Sequence, residues 1–340
     1  MIGLVAVIVG LAILNLVFAG LVVVLRIFHG RRAARLERRR RRWQPALIRL
    51  ISDGSDPVDL SRQVDPAEQR DVVEIAWNIA RRLRGADRER IRLFADRLLG
   101  VVKEDLDSPR AETRARALQV VSCLGADDDE ETIGTFLDDA STLVSLVAAR
   151  ALCEPHRAPW MSEVLSRLDR YASWNTALTS SMLANVGAVA APAMRHYLGD
   201  AHNSLHGRVA VARALELLRD AESADVAAAQ IPGADPELIA ACLRLLAVVG
   251  RGTHAVAVRP LLTDERFFVR SAAITTLGRL GTREDAKAIA QIPESDSPWV
   301  AIRSAQALAD LHASDELALL VERGGLLAEA AIETLYGGAA

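Results

Sequence analysis

Aromatic side chains are scarce in this sequence: five Trp, three Tyr and six Phe account for 4 % of 340 residues. Runs that alternate apolar and polar residues, the pattern of a half-buried strand, are almost absent as well. The scarcity of aromatic residues and of alternating runs excludes a β-sandwich or a β-barrel, because each of these folds needs several such strands. Ala, Leu, Arg and Val dominate instead, a composition that predicts an all-α protein with closely packed helices.

Cysteine is nearly absent too. The three that occur, Cys123, Cys153 and Cys242, lie far apart in apolar runs and form no Cys-x-x-Cys pair. This spacing excludes a disulfide framework and a structural zinc site. We expect all three to be small buried side chains in a reducing compartment.

The familiar catalytic motifs are missing from the sequence, which contains no Gly-x-Ser-x-Gly, no P-loop and no His-Glu-x-x-His. The run Gly250-Arg-Gly252-Thr-His-Ala255 has the spacing of a dinucleotide fingerprint. That fingerprint requires a preceding strand, whereas the apolar run before Gly250 has helical spacing. We interpret the run as a turn between two helices, and we predict neither a cofactor nor an enzymatic activity.

One helix pair can be recognised between Thr263 and Ile292. Asp264 stands where an N-cap is expected, Gly281 is expected to end the first helix in a left-handed turn, and a shorter second helix follows from Glu284. The apolar stripe of the first helix comprises Phe268, Val269, Ala272, Ala273, Leu277 and Leu280. Each helix of such a pair leaves an apolar face that stacked copies must cover.

Copies of this unit recur along the chain at a nearly constant spacing, marked by Asp107, Asp138, Asp169, Asp200, Asp235, Asp264 and Asp296. The pattern of Asp, Val-Arg, Ala and Leu-Gly resembles the short HEAT-like repeats of bacterial proteins over residues 107–322. This resemblance implies an α-solenoid. It leaves the function open, because the family includes scaffolds, lyases, hydroxylases and nucleic-acid enzymes.

The predicted fold is an α-solenoid of about seven to eight HEAT-like helix pairs, preceded by one transmembrane helix. We divide the chain into a transmembrane anchor (1–28), an Arg-rich juxtamembrane linker (29–42), an N-terminal helical or capping region (43–106), the HEAT-like repeats (107–322), and a C-terminal cap and tail (323–340).

The transmembrane prediction rests on Leu4 to Leu25, which is 22 residues long and carries no charge. At about 1.5 Å per residue, a helix of this length spans about 33 Å, enough for a bilayer core. The apolar run is too long for a signal peptide, so we expect an uncleaved anchor. Ala6, Gly10 and Asn15 offer small and polar side chains through which this helix can associate with another in the membrane.

Positive charge is concentrated beside this segment, since residues 1–42 carry nine Arg and one acidic residue. Such a flank stays in the cytoplasm, which predicts a bacterial inner-membrane protein with its N-terminus outside and its repeats inside. The same arginines are expected to contact anionic lipid headgroups, namely Arg31, Arg32, Arg35, Arg38, Arg39, Arg40, Arg41 and Arg42. Trp43 is expected at the membrane interface.

The rest of the chain is acidic, with 32 basic and 43 acidic residues, which argues against nucleic acid as its main ligand. A polar stretch within the repeats offers a candidate partner-binding patch of Trp174, Asn175, Thr179 and Asn185. Trp160 and Trp299 are expected to fill gaps between repeats. His196, Asp200, His202 and His206 form either a metal site or a polar turn, and the sequence has no His-Glu pair of the kind found in HEAT-like di-iron hydroxylases.

The sequence therefore predicts a membrane-tethered, non-catalytic scaffold that binds a protein partner at the cytoplasmic face of the membrane. The alternatives are a HEAT-like enzyme, either a lyase or metal-dependent, and a nucleic-acid-binding solenoid.

Overall fold

A computed structural model describes residues 37–126, 129–292 and 297–336, together with the single residue Phe18. Every regular element in these ranges is a helix, and none of the described residues lies in a strand. The predicted anchor, with Ala6, Gly10 and Asn15, lies outside the described ranges except for Phe18, and so do Arg31, Arg32 and Arg35. Contacts divide the chain into two compact units, residues 1–151 and 152–340, and this boundary falls inside the predicted repeat range 107–322.

The first unit is built from short helices joined by tight turns. Residues 37–52 form α1. The following helices are α2 Pro57–Arg62, α3 Gln69–Ala80, α4 Gly85–Asp96, α5 Gly100–Lys103, α6 Ala111–Leu124, α7 Asp129–Thr135 and α8 Thr142–Leu152, with 3₁₀ turns at Glu104–Asp107 and Phe136–Asp138.

Helix α1 changes two sequence-based predictions. Residues 37–42 belong to this helix, so the boundary expected after Arg42 lies inside a regular element and not at the end of a linker. Trp43, expected at the membrane interface, is instead buried: its ring lies 6.5 Å from that of Phe94, and its indole N–H donates to Glu68 Oε2 at 3.0 Å. An aromatic ring in a helix packs into the core when its face of the helix meets a neighbouring element.

The second unit consists of α9 Met161–Leu165, α10 Thr176–Ala184, α11 Ala191–Gly199, α12 Leu205–Leu218, α13 Ser223–Ala229, α14 Pro236–Val249, α15 Ala255–Val258, α16 Phe267–Leu280, α17 Arg283–Ala290, α18 Pro298–Asp310, α19 Ser314–Arg323 and α20 Gly325–Tyr336. Its 3₁₀ turns are Pro155–Trp160, Leu168–Tyr171, Ala188–Ala190, Gly252–His254 and Arg259–Thr263.

These helices repeat as pairs. Helices α10, α12, α14, α16, α18 and α20 pack side by side and form what we call the first-helix row. The helices between them, α11, α13, α15, α17 and α19, each pack against the first helix that follows. The second unit therefore has the stacked helix-pair architecture that the regular spacing of the sequence repeats predicts, with apolar faces covered by neighbouring copies.

The ends of the helices differ in detail from the prediction. Asp264 accepts the Arg266 N–H at 2.9 Å in the turn before α16, while Arg266 itself holds the N-cap position. Gly281 ends α16 as expected, but its backbone is extended (φ −77°) and not left-handed. Glycine is favoured there because a Cβ would lie 2.5 Å from the Leu277 carbonyl oxygen.

Three helix starts, at α7, α15 and α17, contain a buried polar side chain that the sequence analysis did not identify. Asp129, His254 and Asp285 each lie four residues after a glycine and accept the backbone N–H three residues earlier, at 3.1, 2.9 and 2.7 Å. An N–H at a helix start has no partner within the helix, so these side chains satisfy otherwise unpaired donors.

Helices α16 and α18 approach closely where Gly278 faces Ala307. A Cβ on Gly278 would lie 2.8 Å from both the Cα and the Cβ of Ala307. We expect Gly278→Ala to lower the free energy of unfolding by about 1–3 kcal/mol, the usual effect of overpacking. Chemical denaturation measures the change. Gly199→Ala is the control, since its Cβ would meet only Val226 Cγ1 at an ordinary 3.6 Å, and equal stability of the two variants would contradict this packing.

In the part of the chain that the structure describes, no single helix combines the length and apolarity needed to cross a bilayer. The segments Thr176–Ala184 and Ala188–Gly199 have the required length and apolarity only when taken together, and the chain bends by 101° between the two segments.

Candidate protein-binding surface

The first helices of the second unit share one uncovered face. Residues separated by seven and eleven positions point in nearly the same direction from a helix, and three sets at these separations recur once in each repeat. The sets are His206, Glu237, Phe268 and Trp299; Arg213, Arg244, Thr275 and Gln306; and Leu217, Val248, Arg279 and Asp310. None of these twelve residues is buried. We call this surface the outer face.

Aromatic side chains stand on the outer face at the N-terminal ends of α16 and α18. Trp299 is 61 % exposed and Phe268 is 39 % exposed, at equivalent positions of two helices that pack together. Phe267 contacts Phe268 edge to face, with ring centroids 6.0 Å apart. Three of the few aromatic residues of this chain, Phe267, Phe268 and Trp299, are thus exposed on two adjacent helices.

Two of these positions correct the sequence analysis. Trp299 was expected to fill a gap between repeats and Phe268 to lie in the apolar stripe of its helix, yet both are exposed. The stripe that packs inward contains Val269, Ala273 and Leu277, all buried. Phe268 is adjacent to Val269 in sequence and so is rotated by about 100° around the helix. Apolar spacing alone does not distinguish the covered edge of a stripe from its exposed edge.

The predicted patch does not form as one surface. Thr179 is fully buried, so it is not available to a partner and that assignment is corrected. Asn175 caps α10 by accepting the Ala177 N–H at 2.8 Å, and Asn185 donates its side-chain amide to the Cys153 carbonyl at 2.7 Å. Trp174 is half-buried just before that cap. The two asparagines thus have structural partners, although both remain exposed.

The histidine cluster pairs two of its members. His202 Nδ1 lies 2.9 Å from Asp200 Oδ1, and hydrogen bonds from the backbone and the ring of His202 lower the pKa of Asp200. His196 is exposed on α11. No group of three His, Cys, Asp or Glu side chains suited to hold a metal ion occurs among the described residues.

Two of the cysteines are buried as expected. Burial raises the pKa of Cys153 and of Cys242 to about 12, so both thiols remain protonated and are poor nucleophiles at neutral pH. Cys123 differs, since it is only half-buried.

The described arginines of the basic flank fall into two groups. Arg39 forms ion pairs with Asp71 and with Glu68, and Arg42 lies 3.6 Å from Glu68. These two help to hold α1 on the first unit. Arg38, Arg40 and Arg41 are exposed along the helix. Arg40 donates to Gln44 at 3.0 Å and Arg41 to Glu37 at 3.3 Å, each one turn away on α1. The second group is accessible to a ligand, although Arg41 is paired with Glu37.

Comparison with known proteins matches residues 227–309 to the family described as HEAT repeats. This range contains α14 to α17, the end of α13 and nearly all of α18. Kap121p is 11 % identical with a TM-score of 0.46, over 81 % of this chain and 38 % of Kap121p. Kap121p bound to Nup53p is 11 % identical with a TM-score of 0.47, over 80 % of this chain and 37 % of that chain. An engineered protein is 17 % identical with a TM-score of 0.35, over 83 % of this chain and 88 % of the engineered chain.

This chain thus spans about 38 % of the length of Kap121p. Among curated proteins, none matches it significantly. The HEAT repeats matched at residues 227–309 include both helices that carry the exposed Phe268 and Trp299.

Proposed function

We propose that this protein is a non-catalytic scaffold that binds a protein partner through the outer face of its second unit. The observation that carries the proposal is the exposure of Phe267, Phe268 and Trp299 on two adjacent helices. Exposed aromatic clusters on well-packed helices are typical of protein interfaces, where Trp and Tyr supply much of the binding energy. The row of packed helices holds these rings in place before binding, which limits the entropy lost on association.

We further propose that residues 4–25 tether the scaffold to the inner face of a bacterial cytoplasmic membrane. The support is the uncharged 22-residue segment followed by arginines. A tether confines scaffold and partner to one thin layer and raises their effective concentration, so that a modest interface suffices. Ala6, Gly10 and Asn15 would add lateral contact with a second transmembrane helix.

Contact with anionic lipid is part of the same proposal. A groove of about 380 Å³ lies between α1 and α3, and its lining includes Ile48, Ile79, Arg40 and Arg82. Glu74 also lines it, but its carboxylate is paired with Arg116. Arg40 and Arg82 are both exposed, and neither forms an ion pair in the described structure. An apolar groove bordered by such cations suits a lipid whose anionic headgroup stays near the surface.

The partner proposal is tested by cross-linking the full chain in its own membranes and identifying the captured protein. We expect Phe268→Ala with Trp299→Ala to reduce capture at least about 30-fold, since one interface hot spot contributes about 2 kcal/mol. The matched control is Val256→Ala with Leu319→Ala, because these residues are 66 % and 53 % exposed but lie outside the first-helix row. Capture that survives the aromatic pair unchanged would refute the proposed surface.

The topology is tested by fusions after Ala340. With the repeats in the cytoplasm, an alkaline phosphatase fusion should be inactive and a green fluorescent fusion bright. An active phosphatase would place the repeats outside and overturn the proposed location.

A further inference from the structure

Two arginines on the outer face lack the partners that other arginines of the second unit have. Arg213 on α12 and Arg244 on α14 occupy equivalent positions of adjacent helices, and both are half-buried. Within the described residues, neither side chain donates a hydrogen bond or forms an ion pair. By contrast, Arg259 donates to Asp285 at 2.6 Å, and Arg195 to Asp220 at 2.8 Å.

The environment of Arg244 disfavours its charge. Burial lowers the pKa of the Arg244 guanidinium, and the positive charge of Arg213 lowers it further, while Glu216 partly offsets both. Two like charges held close together with reduced solvation destabilise the free protein. The contacts within the second unit do not offset this loss of solvation and this repulsion. A hydrogen-bond acceptor on a bound ligand is the simplest group that can offset them.

We propose that Arg213 and Arg244 together bind a carboxylate of the protein partner, so that the partner presents an acidic segment to the outer face. This inference rests on the proposed function. Guanidinium groups bind carboxylates through paired N–H donors with strong, directional hydrogen bonds. Because both arginines are already half-desolvated, a carboxylate gains more from them than from a fully solvated arginine.

The surrounding charges favour a single acidic side chain over a polyanion. Glu216 and Glu237 belong to the same two helices, and Glu237 lies on the outer face with the two arginines. Two positive and two negative side chains give this surface no net attraction for a continuous line of phosphates, which binds where cations cluster without acids between them. A single carboxylate needs only the two guanidinium groups as donors.

The spacing of the surface sets the form of the partner segment. Phe268 lies seven residues before Thr275, the α16 equivalent of Arg244, which is about 10 Å along the helix. Adjacent helix axes are about 8–10 Å apart, so the arginine and aromatic positions are separated by about 14 Å. An extended chain covers this distance in about four residues. The partner segment should therefore carry an acidic residue about four positions from an aromatic or branched apolar residue.

The test uses the full-length protein in detergent micelles and a phage library of random 12-residue peptides. Peptides selected by the parent should be enriched in Asp or Glu at the stated spacing from an apolar residue. Arg213→Gln with Arg244→Gln should weaken binding of a synthetic copy of the best peptide at least tenfold. The control is Arg279→Gln on the same face, because Arg279 is already paired with Asp310 at 3.5 Å, and this change should have little effect.

The outcomes separate this inference from the proposed function. Selected peptides without acidic enrichment, or peptides that bind the double arginine variant as tightly as the parent, would overturn the carboxylate site. If those same peptides lose affinity for the Phe268→Ala with Trp299→Ala variant, the proposed protein-binding function is supported although the carboxylate site is refuted. Peptides insensitive to both pairs of substitutions would overturn the outer face as the binding surface.

A second measurement distinguishes a ligand site from a structural role. Arg244→Met keeps an unbranched side chain in place of the arginine stem and removes the like charge, so the thermal midpoint of the free protein should rise by about 2–4 °C. The same variant should bind the selected peptide less tightly. A lower midpoint would mean that the guanidinium stabilises the fold itself, and the proposed role for Arg244 would be wrong.

Discussion

Replacing Ala273 with Asp is expected to lower the free energy of unfolding of the second unit by about 3–5 kcal/mol, because it leaves an unpaired charge in the core. Ala273 lies in the middle of α16 and is fully buried. Helix α16 packs between α14 and α18, so a carboxylate at this position has neither water nor a cation within reach unless the row of helices opens. Urea denaturation followed by circular dichroism measures the change.

Ala272→Asp is the matched control for this prediction. Ala272 is the preceding residue of the same helix but is only half-buried. A carboxylate introduced there can reach solvent, so Ala272→Asp should lower the free energy of unfolding much less than Ala273→Asp. The two variants have the same composition and the same change in helix propensity. If both unfolded at the same denaturant concentration, the assignment of the buried face of α16 would be wrong.

The second large effect is expected at Asp285, whose removal should destabilise the second unit by about 2 kcal/mol at pH 7, the upper range for loss of a helix cap. Asp285 is buried and accepts hydrogen bonds from Arg259 at 2.6 Å and from the backbone and hydroxyl of Thr282 at 2.7 and 3.1 Å. Asp285→Asn keeps the shape but loses the charge that serves these donors. Denaturation at pH 7 measures the difference from the parent.

The pH dependence of this difference identifies its origin. Hydrogen bonds from Arg259 and then from Thr282 lower the pKa of Asp285, against the opposing effect of burial. A carboxyl group whose pKa is lower in the folded protein stabilises it above the unfolded pKa of about 3.9, and this contribution is lost as the pH falls through the folded pKa. The difference in stability between the parent and Asp285→Asn should therefore begin to shrink as the pH falls below about 4, and it should continue to shrink down to the folded pKa.

Glu284→Gln is the control, because Glu284 is the exposed neighbour of Asp285 in the same helical turn. Its removal should change stability by less than about 0.5 kcal/mol at any pH, as is usual for exposed positions. A difference between the parent and Asp285→Asn that persisted unchanged at pH 3 would show that the charge of Asp285 is not what stabilises the turn.

Part of the binding surface could have been found in the sequence. Phe268 and Trp299 are separated by the length of one repeat, so they occupy equivalent positions in any stacked arrangement. That spacing is the sequence signal for the surface, and it becomes visible only when equivalent positions of neighbouring repeats are compared. The arginine pair had the same signal, since Arg213 and Arg244 are also one repeat length apart.

Thr179 shows the opposite limit of sequence reasoning. A polar stretch in an apolar repeat predicts a surface patch, but Thr179 lies in the core, whereas Asn175 caps α10 and stays exposed. Polarity alone does not establish exposure, since Thr179 is fully buried and its hydroxyl has no hydrogen-bond partner among the described residues. A buried hydroxyl without a partner is unfavourable, so this burial follows from the packing of neighbouring helices and not from the polarity of the residue.

The sequence by itself determined the helical class, the repeat length and the burial of Ala273, because local spacing of apolar residues sets which elements form and which side of each is most apolar. Only the tertiary structure decided where the covered part of each helix ends. That limit depends on how closely the two neighbouring helices approach, as Gly278 and Ala307 do. The same contacts leave Phe268 and Trp299 exposed and hold Arg213 beside Arg244 without a partner, and these properties arise from the packing of adjacent repeats.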